Sequence, residues 1–128
     1  MIIDSHCHLT YEPMSNALNE TIDRANKDGI KYMLTISTED KSFEQILKIV
    51  KGYESVYGTY GIHPHEAKSH QHIKSDDIIS KVNQNKKIIG IGETGLDFFY
   101  NHSEKKDQIY SFEEHISAAQ EKNLPVIV

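Results

Sequence analysis

Ile2-Ile3-Asp4-Ser5-His6-Cys7-His8 is a short apolar run that ends in two histidines one residue apart. In an extended segment successive side chains leave opposite faces, so His6 and His8 share one face and Cys7 takes the other. One cation can then touch both imidazoles. The chain holds 8 histidines, so an isolated His-x-His is as easily coincidence as a ligand pair. Two further clusters change that balance. Gly61-Ile62-His63-Pro64-His65 follows the apolar stretch Val56-Tyr57-Gly58-Thr59-Tyr60, and Gly92-Glu93-Thr94-Gly95-Leu96-Asp97 follows Ile88-Ile89-Gly90-Ile91. Each polar cluster stands where a short β run stops.

Between these runs the apolar residues recur at helical spacing. Ile2 to Asp4 reads as the first strand, and Met14, Ala17, Leu18, Ile22 and Ala25 as the stripe of a helix that stops at Gly29. Tyr32 to Ile36 is the second strand. Phe43, Ile46, Leu47 and Val50 form the apolar face of a second helix, with Ser42 and Gln45 spaced as a capping box. The third strand runs from Val56 to Ile62, a short helix from about Asp76 to Asn83, and the fourth strand from Ile88 to Gly92. A long helix from about Ser103 to Lys122 places Ile109, Phe112, Ile116 and Ala119 on one side, and Leu124 to Val128 begins a fifth strand.

Strands alternating with helices in this way imply parallel pairing through right-handed crossovers. The class is α/β, a single domain over 1–128 without linker or low-complexity tract. Four β/α units and the start of a fifth make about half of an eight-unit barrel, which needs about 250 residues. Active sites of such barrels lie at the C-terminal ends of the strands, where all three polar clusters fall.

Composition excludes several functions. Asp and Glu outnumber Lys and Arg by 19 to 14, for a formal net charge of −5, so the chain as a whole is no electropositive nucleic-acid binder. Phosphate chemistry here needs bound cations. No stretch has the apolar length of a membrane span, and no basic segment leads into an apolar run. A lone cysteine forms no internal disulfide and fits a reducing compartment, so the expected location is the cytoplasm.

Asp4-Ser5-His6-Cys7-His8-Leu9, Gly61 to His65, Gly92 to Asp97, and Gln108 through Phe112 to Leu124-Pro125-Val126 resemble, in order and spacing, the N-terminal half of the TatD-type metal-dependent deoxyribonucleases. The resemblance implies a TIM-barrel phosphodiesterase of the metallo-dependent hydrolase superfamily. It implies one or two divalent cations, zinc, magnesium or manganese, and DNA as substrate, taken by its single-stranded ends. Carried over, His6 and His8 bind one metal and Glu93 bridges to a second. Thr94 stands where isoleucine is common in the family, and His115 where glutamine is expected. Family members continue past the Leu-Pro-Val strand into a histidine for the second metal, a further histidine, and an aspartate for the first. Within residues 1–128 one site therefore has most of its ligands and the other only Glu93.

The chemistry is consistent with those residues. Two cations about 4 Å apart screen a phosphodiester, acidify a water and stabilise the leaving oxygen, and a carboxylate such as Glu93 can hold both. Asp4 shares the His6 face by parity, and Asp97 lies close enough in sequence to accept a ring N–H from a metal-bound histidine; a loop or helix cap is the alternative for each. His63 is placed to contact phosphate or move a proton, and His65 less so, because Pro64 turns the chain. His70, His72, His102 and His115 read as solvated, and Cys7 as a small buried apolar group. Phe98-Phe99-Tyr100 offers either a stacking platform for a base or ordinary loop packing.

Two function classes stand on these residues. One is a TatD-like nuclease, active with a complementing C-terminal half or through self-association; the other is a truncated remnant without turnover. The unpaired apolar edges of a half-barrel favour association. A glutamate ending the fourth strand argues against the amidohydrolase branch, which bridges its metals with a modified lysine.

Overall fold

Apolar runs of four to six residues form β1 (Ile2–Cys7), β2 (Ile30–Thr35), β3 (Val56–Tyr60) and β4 (Ile88–Ile91), in a computed structural model that describes residues 1–128. The strands lie side by side in chain order and every pair is parallel. The helices between and after them are α1 (Leu18–Lys27), α2 (Phe43–Gly52), α3 (Ser75–Val82) and α4 (Lys105–Lys122). No helix is long and apolar enough to cross a membrane.

Leu124 to Val128 joins β4 by a single parallel bridge, Ile91 to Val126, rather than by a full strand. The Ile91 N–H donates to Pro125 O and the Ile127 N–H to Ile91 O, both at 2.9 Å. Pro125 has no N–H with which to extend that ladder backwards. Beyond Ile91, β4 leaves the sheet at Gly92, whose φ is 145°.

The core lies between the sheet and the helices. Met33, Val56, Tyr60, Ile88 and Ile91 pack against Ile22, Phe43, Ile46, Val50, Ile78, Val82 and Ala118. Ile3, its partner Tyr32 and the neighbouring Tyr57 take the other face of the sheet, and Ile89 falls in a bulge where Gly58 pairs with Ile88 and Thr59 with Gly90. Ile3, Tyr32 and Ile89 are exposed there, and β1 pairs with β2 alone. This face and the free edge of β1 are uncovered.

Four sequence readings change. The expected capping box of α2 is absent: Ser42 Oγ donates to Glu39 O, and the chain enters the helix through a tight turn over Asp40–Ser42. Three residues of β1 advance against two of β2 between Asp4 and Cys7. This bulge breaks the parity that put Asp4 beside His6, and Asp4 instead accepts the His6 N–H. The buried side of α4 is Gln108, Ser111, His115, Ala118 and Ala119, whereas Ile109 is exposed. His115, read as solvated, is fully buried. Cys7 behaves as expected: its half-buried thiol donates to Leu34 O, and burial pushes its pKa up to about 12.

The burial of His115 has a backbone cause. Its Nε2 accepts the Ile62 N–H at 3.0 Å, and its Nδ1–H donates to Ser111 O at 2.6 Å. His115→Leu should cost about 2 kcal/mol by orphaning the Ile62 N–H, whereas His115→Gln keeps an acceptor and costs less. Burial also holds the His115 pKa below its ordinary value. The unfolded chain then binds the extra proton more readily, so stability should fall as pH drops below about 6.5 and stay flat above it. Urea unfolding on either side of that pH should show a shallower loss in His115→Gln than in the native chain.

Candidate metal centre

The C-terminal ends of β3 and β4 meet because two glycines let their backbones touch. A Cβ on Gly61 would lie 2.4 Å from the Gly92 backbone, closer than any side chain tolerates. Hydrogen bonds then fasten these ends, and that of β1 through the Ile36 N–H on Cys7 O, to the segment after β2. Ser37 Oγ donates to Gly61 O, the Glu93 N–H to Ser37 O, and the His63 N–H to Thr38 O. Thr59 Oγ1 donates to Gly92 O and accepts the Ser37 N–H. Ser37, Thr38 and Thr59 were passed over in the sequence because hydroxyls that tie backbone carry no metal or acid–base signature.

These ties aim three imidazoles at one carboxylate. Glu93 Oε2 lies 3.4 Å from His6 Nε2 and 3.9 Å from His8 Nε2, while Oε1 lies 3.7 Å from His63 Nε2. All three separations exceed the 2.7–2.9 Å or so of a charge-assisted hydrogen bond. Ligands about 2.1 Å from a tetrahedral zinc stand about 3.4 Å apart, so the His6 to Glu93 spacing is the edge expected around a shared ion. His6, His8 and Glu93 offer ligand atoms that all lie within 4.8 Å of one another, and this donor set fits a divalent cation. His8 Nδ1 is buried without a partner. The His8 ring is oriented instead by Tyr11, stacked at 4.8 Å and 13°, whose hydroxyl is bonded to Thr38 Oγ1.

His63 differs from the other two in its hydrogen bonding. Its Nδ1 accepts the His65 N–H at 3.1 Å, so the neutral ring carries its proton on Nε2, toward Glu93. Burial holds its pKa below the ordinary histidine value, against the raising effect of Glu93. It is thus a neutral donor near pH 7.

Asp97 does not reach His6 or His8. Its Oδ2 accepts from His65 Nε2 at 2.6 Å, and that bond, with the Tyr100 and Phe99 N–H groups, holds its carboxyl below the usual carboxylate range. Fully buried Gln108 accepts the Asp97 N–H and donates to Asp97 O and Ser103 O. Gln108 reads in sequence only as part of a motif; its work is to hold the loop after β4. His8, Tyr11, Thr38, Glu39, His63, His65, Glu66 and Glu93 enclose a cleft of about 390 Å³. His70 and His72 stack on each other away from it.

Comparison with known proteins adds the following. The sequence model of the family described as TatD related DNase matches residues 3–128. An uncharacterized metal-dependent hydrolase of Buchnera aphidicola subsp. Baizongia pistaciae is 34% identical over 99% of this chain and 48% of its own length. The 3'-5' ssDNA/RNA exonuclease TatD of Salmonella typhimurium is 30% identical over 99% of this chain and 48% of its own. The crystal structure of YjjV, a TatD homolog from Escherichia coli, superposes with a TM-score of 0.89 at 26% identity, covering 98% of this chain and 49% of that one. The chain spans about half the length of the curated relatives it matches. Its four parallel β/α units are correspondingly about half of the TatD-type barrel.

Proposed function

Because the chain belongs to the TatD related DNase family, we propose that it acts as a metal-dependent phosphodiesterase on the single-stranded ends of DNA or RNA. In this reading His6, His8 and Glu93 hold a divalent cation, zinc, manganese or magnesium, and Glu93 and His63 face the reacting phosphate. The observation that carries it is the convergence of two imidazoles and a carboxylate from two strand ends, with a third imidazole opposite. The similarity to the Salmonella 3'-5' ssDNA/RNA exonuclease supports the substrate class.

A cation bound there supplies positive charge against the phosphodiester and Lewis acidity toward water and the phosphoryl oxygen. The protein's own groups do the rest. The two oxygens of Glu93 face different imidazoles, and a second cation, where bound, would share this carboxylate. His63, with Nδ1 committed to the His65 N–H, presents Nε2–H as a donor to a phosphate oxygen. It acts as a positioning and charge-stabilising group rather than a ligand. The uncovered sheet face and the free edge of β1 favour an assembled form, with a second copy or a complementing polypeptide. A lone cysteine, with no partner for an internal disulfide, suits the cytoplasm.

The test is cleavage of a labelled single-stranded oligonucleotide by the purified chain, resolved by size into monomer and oligomer, with each metal in turn and beside Glu93→Ala. Metal-dependent cleavage in the assembled fraction, lost in Glu93→Ala, is the expected result. A folded, assembled chain that cleaves no faster than Glu93→Ala overturns the reading.

A further inference from the structure

The loop after β4 carries groups that the proposed site leaves unused. Phe99 and Tyr100 are 88% and 66% exposed, among the most exposed large apolar side chains in the molecule. Burial favours hiding such rings, and exposed ones in a slack loop would collapse onto the surface. Their backbone is held instead. Asp97 Oδ1 accepts both the Phe99 and the Tyr100 N–H at 3.1 Å, and Asp97 is clamped in turn by fully buried Gln108 and by His65. The rings are thus exposed on a fixed frame.

That frame adjoins the candidate metal centre through one residue. His65 lines the main cleft and also a second one of about 260 Å³, formed with Glu66, Lys68 and His102. The Tyr100 and His102 rings lie within 12° of parallel, and His65 stands 4.4 Å from His102 and 6.0 Å from Tyr100. Ser103 secures this corner by accepting the Lys68 N–H and donating to His65 O. In a chain of net charge −5, flat rings beside an ammonium group at this spot match the two parts of a nucleotide: a base for the rings and a phosphate for the lysine. Glu66 offsets the charge of Lys68, so recognition there rests on stacking more than on charge.

We propose that Phe99, Tyr100, His102 and Lys68 form a subsite for the nucleotide adjoining the scissile phosphate of a single-stranded nucleic acid. The base stacks on Phe99 or Tyr100, and Lys68 takes the neighbouring phosphate. The subsite rests on the phosphodiesterase reading for its neighbour, but its binding is measurable without turnover.

The experiment compares binding of a fluorescent oligothymidylate with that of an abasic phosphodiester oligomer of equal length, by anisotropy, while cleavage of both is followed separately. The chain should bind the base-bearing oligomer at least about fivefold more tightly, since stacking on an aromatic ring contributes about 1–3 kcal/mol per base. Phe99→Ala/Tyr100→Ala should reduce that preference to within about twofold and leave abasic binding unchanged, whereas Lys68→Gln should weaken both oligomers alike. Both changes fall on exposed side chains, and thermal melting verifies that each variant folds. Equal affinity for the two oligomers, binding of neither, or a preference that survives the double substitution overturns the subsite. Cleavage of both oligomers at one rate would overturn the subsite and leave the phosphodiesterase reading standing. Base-dependent binding without cleavage would do the reverse.

Discussion

Glu93→Gln lowers the affinity of the chain for zinc or manganese by at least about a hundredfold, a loss read by calorimetric titration. Disturbing groups that merely support a metal ligand already costs ten- to a hundredfold, and Glu93 supplies the only carboxylate within reach of His6 and His8. Glutamine preserves the shape and volume of the side chain while removing its charge, so the loss reports ligation rather than misfolding. Glu66→Gln is the control, because Glu66 lines the same cleft outside the cluster of ligand atoms. Its metal affinity should be unchanged. Equal affinities for the native chain and Glu93→Gln would place the cation elsewhere.

Gly61→Ala destabilises the fold by about 3 kcal/mol, at the upper end of the cost of overpacking. The added methyl would sit 2.4 Å from the backbone of Gly92, and backbone cannot swing aside as a flexible side chain does. Relief requires the ends of β3 and β4 to part, which also draws His63 away from Glu93. Gly52→Ala makes the contrast. A Cβ there meets nothing within 4 Å, and alanine at the end of α2 should stabilise by up to about 1 kcal/mol. Chemical denaturation of the two variants beside the native chain measures both, and similar stabilities for the pair would refute the close-approach account of the site.

Much of the architecture was legible in local patterns. Val56 to Ile62 and Ile88 to Gly92 read as strands from their apolar runs, and the structure ends them at Tyr60 and Ile91; His6, His8 and Glu93 come together because the polar clusters share one end of a parallel sheet. The misses have physical causes that a linear pattern does not carry. Asp4 was placed by parity, and a bulge interrupts parity. His115 read as solvated and Gln108 only as part of a motif, yet each is buried to satisfy backbone groups brought close only by the folded chain, at Ile62 and at Asp97. The apolar stripe chosen for α4 included Ile109, but the helix buries Gln108, Ser111, His115, Ala118 and Ala119 instead. Tyr11 and Thr38, neither of them a ligand type, set the His8 ring through stacking and one hydroxyl bond.

The most direct test of the site is nitrogen NMR of the histidine rings during a zinc titration. The account predicts that Nε2 of His6 and His8 moves to the range of a metal-bound nitrogen at one equivalent, while His63 keeps its proton on Nε2 and its Nδ1 in the hydrogen bond from the His65 N–H. Coordination through His63 Nε2 in place of His6 or His8, or zinc binding that leaves all three rings unshifted, would contradict it.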